Sequence, residues 1–424
     1  MSHTQPTNTN GLRATVILGV LFFIFGFITW LNGTLIPYLR IACELTTFES
    51  LLVTFAFYIS YFVMAMPSSA LLKLTGFKKG MSIGLFIMSL GAILFIPAAM
   101  TRTYWLFLTG LFVIGTGLSV LQTASNPYVT IVGPIESAAR RISIMGICNK
   151  VAGILAPVIL GAVVLSDADV LVKELQTMDI TQKNIRLNEL AHRVILPYSL
   201  MAVALSVLAM LLRFSPLPEI DEEEDEVQVD KTDERTSILQ FPNLVLGVVA
   251  LFLYVGAEVV AADTIGTYGL SQGIALSEAK NFTAYTLSAM LLGYVIGIFA
   301  IPRYMTQARA LGYSAITGVI FSLLATQTEG YISVFFIAML GLSNALMWPA
   351  IWPLAIDGLR RFTKIASALL IMAIAGGALL PLAYGSLADL DIIGPQQAYW
   401  ILIPCYLFIL HYSIYGYKLH KWKF

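Results

Sequence analysis

An all-α membrane protein of twelve transmembrane helices, arranged as two six-helix pseudo-symmetric bundles, is the fold this sequence predicts, on three observations. The 424 residues are 58% hydrophobic and only 12% charged, with a mean hydropathy of +0.81; a soluble domain carries roughly 25% charge. The apolar residues gather into twelve runs, most of them long enough to cross about 30 Å of hydrocarbon as helix. The two halves of the chain also repeat one another at a fixed offset.

The runs fall at 14–39, 49–73, 80–100, 103–131, 140–165, 195–214, 242–269, 280–302, 310–326, 330–356, 364–388 and 396–417. They lack the alternation of β-barrel strands. The stretch Met1 to Gly11 is polar and uncharged, with no basic region or cleavage site of a signal peptide, so the first run is expected to remain as a membrane helix.

Basic residues set the expected orientation. Arg13, Lys73, Lys78, Lys79, Arg140, Arg141, Arg213, Arg303, Arg309, Arg360, Arg361, Lys364, Lys418, Lys421 and Lys423 all fall on the side that holds both termini. The opposite loops carry few (Arg40, Arg102, Lys280), apart from a long mixed-charge loop at 166–194, read as partly helical. The positive-inside rule then places both termini in the cytoplasm of a bacterial inner membrane. The expected organisation is a tail at 1–13, a six-helix bundle at 14–214, an acidic linker at 215–241, and a second bundle with a short tail at 242–424. The run Asp221 to Glu226 reads as a solvated spacer.

The repeat is specific. Gly117-Leu118-Ser119 matches Gly341-Leu342-Ser343, and Arg140, Gly153, Leu155 and Pro157 match Lys364, Gly377, Leu379 and Pro381, every pair 224 residues apart. Register kept across two helices points to duplicated halves related by an axis along the membrane normal. A solute site near the midplane between the halves goes with that arrangement.

Within the apolar runs three charges need a reason, because each costs at least ~2.5 kcal/mol in hydrocarbon. These are Lys150, Glu258 and Asp263. Glu258 and Asp263 are five residues apart, roughly 140° round a helix, so they do not share a face. Two roles stay open for the three charges: ion coupling, or a buried pair such as Lys150 with an acid that fixes packing. Asp357, beside Arg360 and Arg361, reads as an interface charge.

Neutral polar residues form stripes: Ser119, Gln122 and Asn126; Asn344, Trp348 and Trp352; Thr29 and Asn32, with Trp30 and Gly33 adjoining. Asn149 precedes Lys150. Amides with donors and acceptors beside apolar indole faces suit a neutral sugar, while single amides also serve as interhelical hydrogen bonds. Backbone breaks are expected at Asn126-Pro127, at Pro349 and Pro353, and at Gly376-Gly377 with Pro381.

Other classes find no support. The cysteines Cys43, Cys148 and Cys405 have no metal or redox spacing, and no phosphate-binding loop or HExxH occurs. The expectation is no enzyme, no metal and no cofactor, and a net charge of zero suggests no nucleic-acid partner.

The segment Leu31-Asn32-Gly33-Thr34-Leu35-Ile36-Pro37 resembles the L-N-D-x-L-x-P motif of the fucose–proton symporter family of major facilitators. Gln122-Thr123-Ala124-Ser125-Asn126-Pro127-Tyr128-Val129 with Gly133-Pro134 resembles that family's fourth-helix signature. Tyr254-Val255-Gly256-Ala257-Glu258-Val259 and Trp348-Pro349-Ala350-Ile351-Trp352-Pro353-Leu354 are similar to segments of its glucose/galactose and N-acetylglucosamine branch.

The resemblance implies the major facilitator fold and cation-coupled import of a neutral monosaccharide by a monomer in the bilayer. Trp30, Asn32, Gln122, Asn126, Asn149, Glu258, Asn344, Trp348 and Trp352 are the expected substrate-binding residues. Where the family has acids in the first and fourth helices this chain has Gly33 and Gln122, which do not titrate. Coupling, by proton or sodium, is therefore expected at Asp263, Glu258 or Lys150. N-acetylglucosamine is the favoured sugar, because Trp30 and Gly33 would leave an apolar recess for an acetamido methyl. Glucose or galactose symport and passive facilitation are the alternatives.

Overall fold

Hydrocarbon supplies no hydrogen-bond partners, so a chain this apolar has to satisfy its backbone internally, and every regular element among the described residues is a helix. The computed structural model describes residues 8–131, 138–215, 237–301, 303–359, 362–419 and 421–422. The acidic run of the linker, Arg360, Arg361 and the side chain of Asn126 lie outside the described residues.

Among the described residues, twelve helical spans are long and apolar enough to cross a membrane: Val16–Ala42, Thr47–Thr75, Phe77–Thr101, Tyr104–Ser125, Ile144–Val164, Ile180–Arg213, Pro242–Asp263, Leu276–Ala300, Gln307–Gln327, Gly330–Ile356, Ala368–Ala388 and Gly394–Lys418. An even number of passages returns the chain to its starting side. The start of the seventh span is tied there to the C-terminal tail, Asn243 N donating to Leu419 O at 2.9 Å and Trp422 Nε1 to Leu239 O at 2.9 Å. That side is the linker end, and the opposite side is the far end.

The loop at 166–194 folds at the far end as two helices, Ala168–Thr177 and Ile180–His192. Asp167 organises it. Arg193 and Arg186 both reach its carboxylate, and hydrogen bonding from the Arg193 guanidinium holds that carboxyl below the usual carboxylate range. Tyr38 of the first span anchors the second of these helices by donating to the carbonyls of Leu190 and Ala191.

Several spans are discontinuous. The first divides at Leu31 and the tenth between Asn344 and Met347, the seventh breaks off at Thr264 before a short continuing helix, Ile265–Ser271, and the eleventh passes through a 3-10 turn at Ala373–Ala375. Interruptions were expected in the tenth span at Pro349 and Pro353 and in the eleventh at Gly376-Gly377 with Pro381. Pro353 instead lies inside helix Met347–Ile356, and helix Gly376–Ala388 runs through the glycine pair and Pro381, the turn ending just before it. The fourth span runs unbroken through Pro127, as helix Tyr104–Ile131, since one missing N–H removes one hydrogen bond without forcing an end. Pro349 lies after the break in the tenth span, in the first turn of Met347–Ile356, where its missing donor had no intrahelical partner to lose.

The duplicated glycines explain themselves. A Cβ on Gly153 would lie 2.4 Å from Trp30 and 3.0 Å from Leu287, whereas one on Gly377 would lie 3.0 Å from Val259 and 3.1 Å from Tyr58. The fifth span is thus pressed against the first and eighth, and the eleventh against the seventh and second. This is one joint built twice. The two halves meet along those contacts, fifth span with eighth and second with eleventh. Toward the far end Asn32–Ala42 packs against Ile265–Ser271.

Candidate functional site

At mid-height in the seam between the halves, the Lys150 ammonium lies 2.8 Å from Glu258 Oε1, with the two side chains only 7% and 11% exposed. Lys150 belongs to the fifth span and Glu258 to the seventh, so the pair joins the two halves. Removing two charges from water has a large desolvation cost, and here their mutual attraction has help. The Trp30 ring lies 4.3 Å from the Lys150 ammonium, a cation–π contact from the first span. Trp30 Nε1 in turn donates to Asn149 Oδ1 at 3.4 Å. Beyond Glu258, Tyr254 lies one turn earlier on the same helix, its ring 6.5 Å from that of Trp348. Trp348 stacks on Trp352 with centroids 5.5 Å apart, and both are half-buried.

Asp263 points elsewhere, as the helical angle requires. It is fully buried at the end of helix Pro242–Asp263. Its Oδ2 accepts from Thr54 Oγ1 of the second span at 3.0 Å, while Oδ1 has no hydrogen-bond partner. The break that follows leaves helix-terminal carbonyls that need donors. Threonine hydroxyls supply them: Thr264 to Val260 O at 2.6 Å, Thr283 to Ala262 O at 2.8 Å and Thr286 to Ala261 O at 3.4 Å. The bonds from Thr283 and Thr286 stitch spans seven and eight together.

The expected stripes separate on inspection. Gln122 donates to Tyr61 OH at 3.0 Å and Ser119 Oγ lies 3.4 Å from Ser68 Oγ, so both turn toward the second span of their own half. Asn344 accepts from Tyr406 OH at 3.0 Å and is buried. It does not share a stripe with Trp348 and Trp352, because the helix breaks between them. Asn32 is buried with Nδ2 unpartnered, as is Nδ2 of Asn344.

Gly33 does not open a recess. A Cβ there would come within 2.2 Å of Thr283 Oγ1, so the eighth span already fills the space. Trp30, likewise, is buried and engaged by Lys150 and Asn149. Sequence reasoning missed Thr54, Tyr61, Thr283 and Tyr406. Hydroxyls in apolar segments bond their own helix too often for the sequence to single these out.

Chemically, the seam brings together an ion pair, a lone buried carboxyl and amide and indole groups from both halves, at the depth where a duplicated bundle of this type holds its solute. The sequence matches the Major Facilitator Superfamily over residues 18–381. It is 37% identical over 421 residues to the glucose/galactose transporter of Brucella abortus biovar 1 (strain 9-941), covering 98% of this chain and 97% of that one. To the L-fucose-proton symporter of Escherichia coli (strain K12) it is 29% identical over 383 residues, covering 88% and 86%. The crystal structure of the facilitator FucP in the outward conformation superposes with a TM-score of 0.72 at 27% identity, covering 95% of this chain and 98% of that one. Twelve spans in two duplicated halves, a family match across most of the chain and relatives aligned over nearly its whole length establish that this protein belongs to the Major Facilitator Superfamily and is a transporter rather than an enzyme.

Proposed function

We propose that the protein imports a neutral monosaccharide together with a coupling cation by alternating access, in a bacterial inner membrane with both termini cytoplasmic. The observation that carries the reading is the seam: the Lys150–Glu258 pair and the Asp263 carboxyl lie between the halves at mid-depth, each bonded across to the other half. Intramembrane ionisable groups placed this way serve coupling, since packing alone is achieved more cheaply by apolar residues. With the linker end cytoplasmic, as its basic residues favour, the far end, where Asn32–Ala42 packs against Ile265–Ser271, faces outward. The names of the relatives support a sugar of the glucose/galactose type. N-acetylglucosamine is the second reading, and the Trp348–Trp352 stack, not Gly33, is the apolar wall that favours it. In this reading Asp263 takes up the cation, proton or sodium, and sugar and cation each raise the other's affinity.

The test is uptake into proteoliposomes under a proton gradient and separately under a sodium gradient, with glucose, galactose, N-acetylglucosamine and fucose as competing sugars. Accumulation above equilibrium under one gradient is expected, and the competitor ranking names the sugar. Equilibration without accumulation under both gradients makes the protein a passive facilitator.

Gln122 gives a finer check. Its Nε2 is committed to Tyr61, so a sugar hydroxyl can draw only on its remaining groups. Gln122→Ala is expected to weaken sugar binding by about 1–3 kcal/mol, read by substrate titration of the purified protein. Wild-type affinity removes Gln122 from the site and leaves it a packing bond.

A further inference from the structure

We infer that Lys280 and Asp389 are a paired clamp that holds the far end shut, each gripping the end of a helix in the opposite half; this rests on the reading that the halves separate there during transport. Two pairs of contacts carry it. Asp389 follows the eleventh span, and its Oδ2 accepts from Phe48 N at 2.7 Å and its Oδ1 from Thr47 N at 3.2 Å. These are amides of the first turn of the second span. That turn has its own cap: Thr46 Oγ1 accepts from Glu49 N, and the Glu49 carboxylate reaches back to Thr46 N in a capping box. The local cap leaves the donors of Thr47 and Phe48 unused, and the other half supplies their acceptor.

Lys280 makes the complementary contact. Its ammonium donates to Leu165 O at 2.8 Å, at the carbonyl end of the fifth span, where Arg193 from the same half already donates to Val164 O at 3.2 Å. The anion therefore meets the positive end of one helix and the cation the negative end of another, both arrangements favoured by the helix dipole. At the Asp389 contact a small residue lets the second span approach, whereas at the Lys280 contact a Cβ on Gly161 would lie at ordinary van der Waals distance from the stem. A Cβ on Gly385, one turn before Asp389, would lie 2.8 Å from Leu51 and 3.1 Å from Phe48 Cα. The two contacts lie on the two sides of the seam, where second span meets eleventh and fifth meets eighth.

Asp389 is exposed, so on opening its carboxylate and the two amides pass to water at small net cost. A clamp of that strength biases the equilibrium between the two states without locking it, as a cycle that must visit both requires.

Spin labels at Trp105→Cys and Ile392→Cys, both exposed at the far end and in opposite halves, report the opening when Cys43, Cys148 and Cys405 are replaced by alanine. The distance distribution from double electron–electron resonance is expected to be mainly short in the parent. A longer component should grow several-fold in Asp389→Ala and in Lys280→Met, further in Asp389→Lys, and return to the parent level in Asp389→Glu. A parent that lengthens on adding the transported sugar while the variants match it overturns the clamp alone. A single fixed distance in every variant, with and without sugar, overturns the clamp and the moving-halves reading together.

Discussion

Replacing Glu258 by glutamine is expected to abolish transport and to lower the stability of the purified protein by on the order of 3 kcal/mol, the cost of leaving one member of a buried pair uncompensated. Glutamine keeps the shape and one acceptor for Lys150, so the loss isolates the charge. Lys150→Met should do comparable damage by leaving a bare carboxylate in a setting only 11% exposed. Thermal unfolding in detergent gives the stability of each variant and proteoliposome uptake its activity. The Lys150→Met, Glu258→Met double variant separates the roles. If it recovers stability without transport, the pair serves transport; recovery of both makes it packing.

For Asp263→Asn the expected outcome is a split. Asparagine still accepts the Thr54 hydroxyl that now reaches Asp263 Oδ2, so the joint between the second and seventh spans persists. What disappears is the acid at that joint able to take up a cation by losing or balancing its charge. Sugar affinity should stay within a factor of about three, under ~0.7 kcal/mol, and exchange of sugar across the membrane should continue. Accumulation against a gradient should fall to simple equilibration. Wild-type accumulation in this variant rules Asp263 out as the coupling group and leaves Glu258.

Much of this was legible in the sequence. Hydropathy located most of the spans to within a few residues, because burial in lipid leaves a long, unbroken signal. The sixth, whose helical span begins at Ile180, was placed from 195, fifteen residues late at its start. The 224-residue register found Gly153 and Gly377, since close approach admits one residue type at each copy of the joint. The intramembrane charges stood out by their cost. Their pairing did not, because whether Lys150 meets Glu258 or Asp263 depends on the rotation of helices that are distant in sequence. The breaks at Leu31, Thr264 and Asn344 carry no proline and were missed for a related reason: the threonines that satisfy the freed carbonyls at Thr264 lie partly on the eighth span. The recess expected at Gly33 failed because a glycine signals space only relative to its neighbour, and the neighbour is Thr283.

The Lys150–Glu258 pair also has a consequence for how the protein is made. The partners are 108 residues apart in the chain, so at ordinary synthesis rates the fifth span precedes the seventh by roughly 5–20 s. During that interval a nascent chain holds an ammonium in the bilayer with no carboxylate to meet it. The indole of Trp30, made earlier and lying against Lys150 in the finished molecule, is the group available to shelter it. The N-terminal half on its own thus stays in the bilayer by its six apolar spans but carries one charge whose partner arrives only with the seventh span.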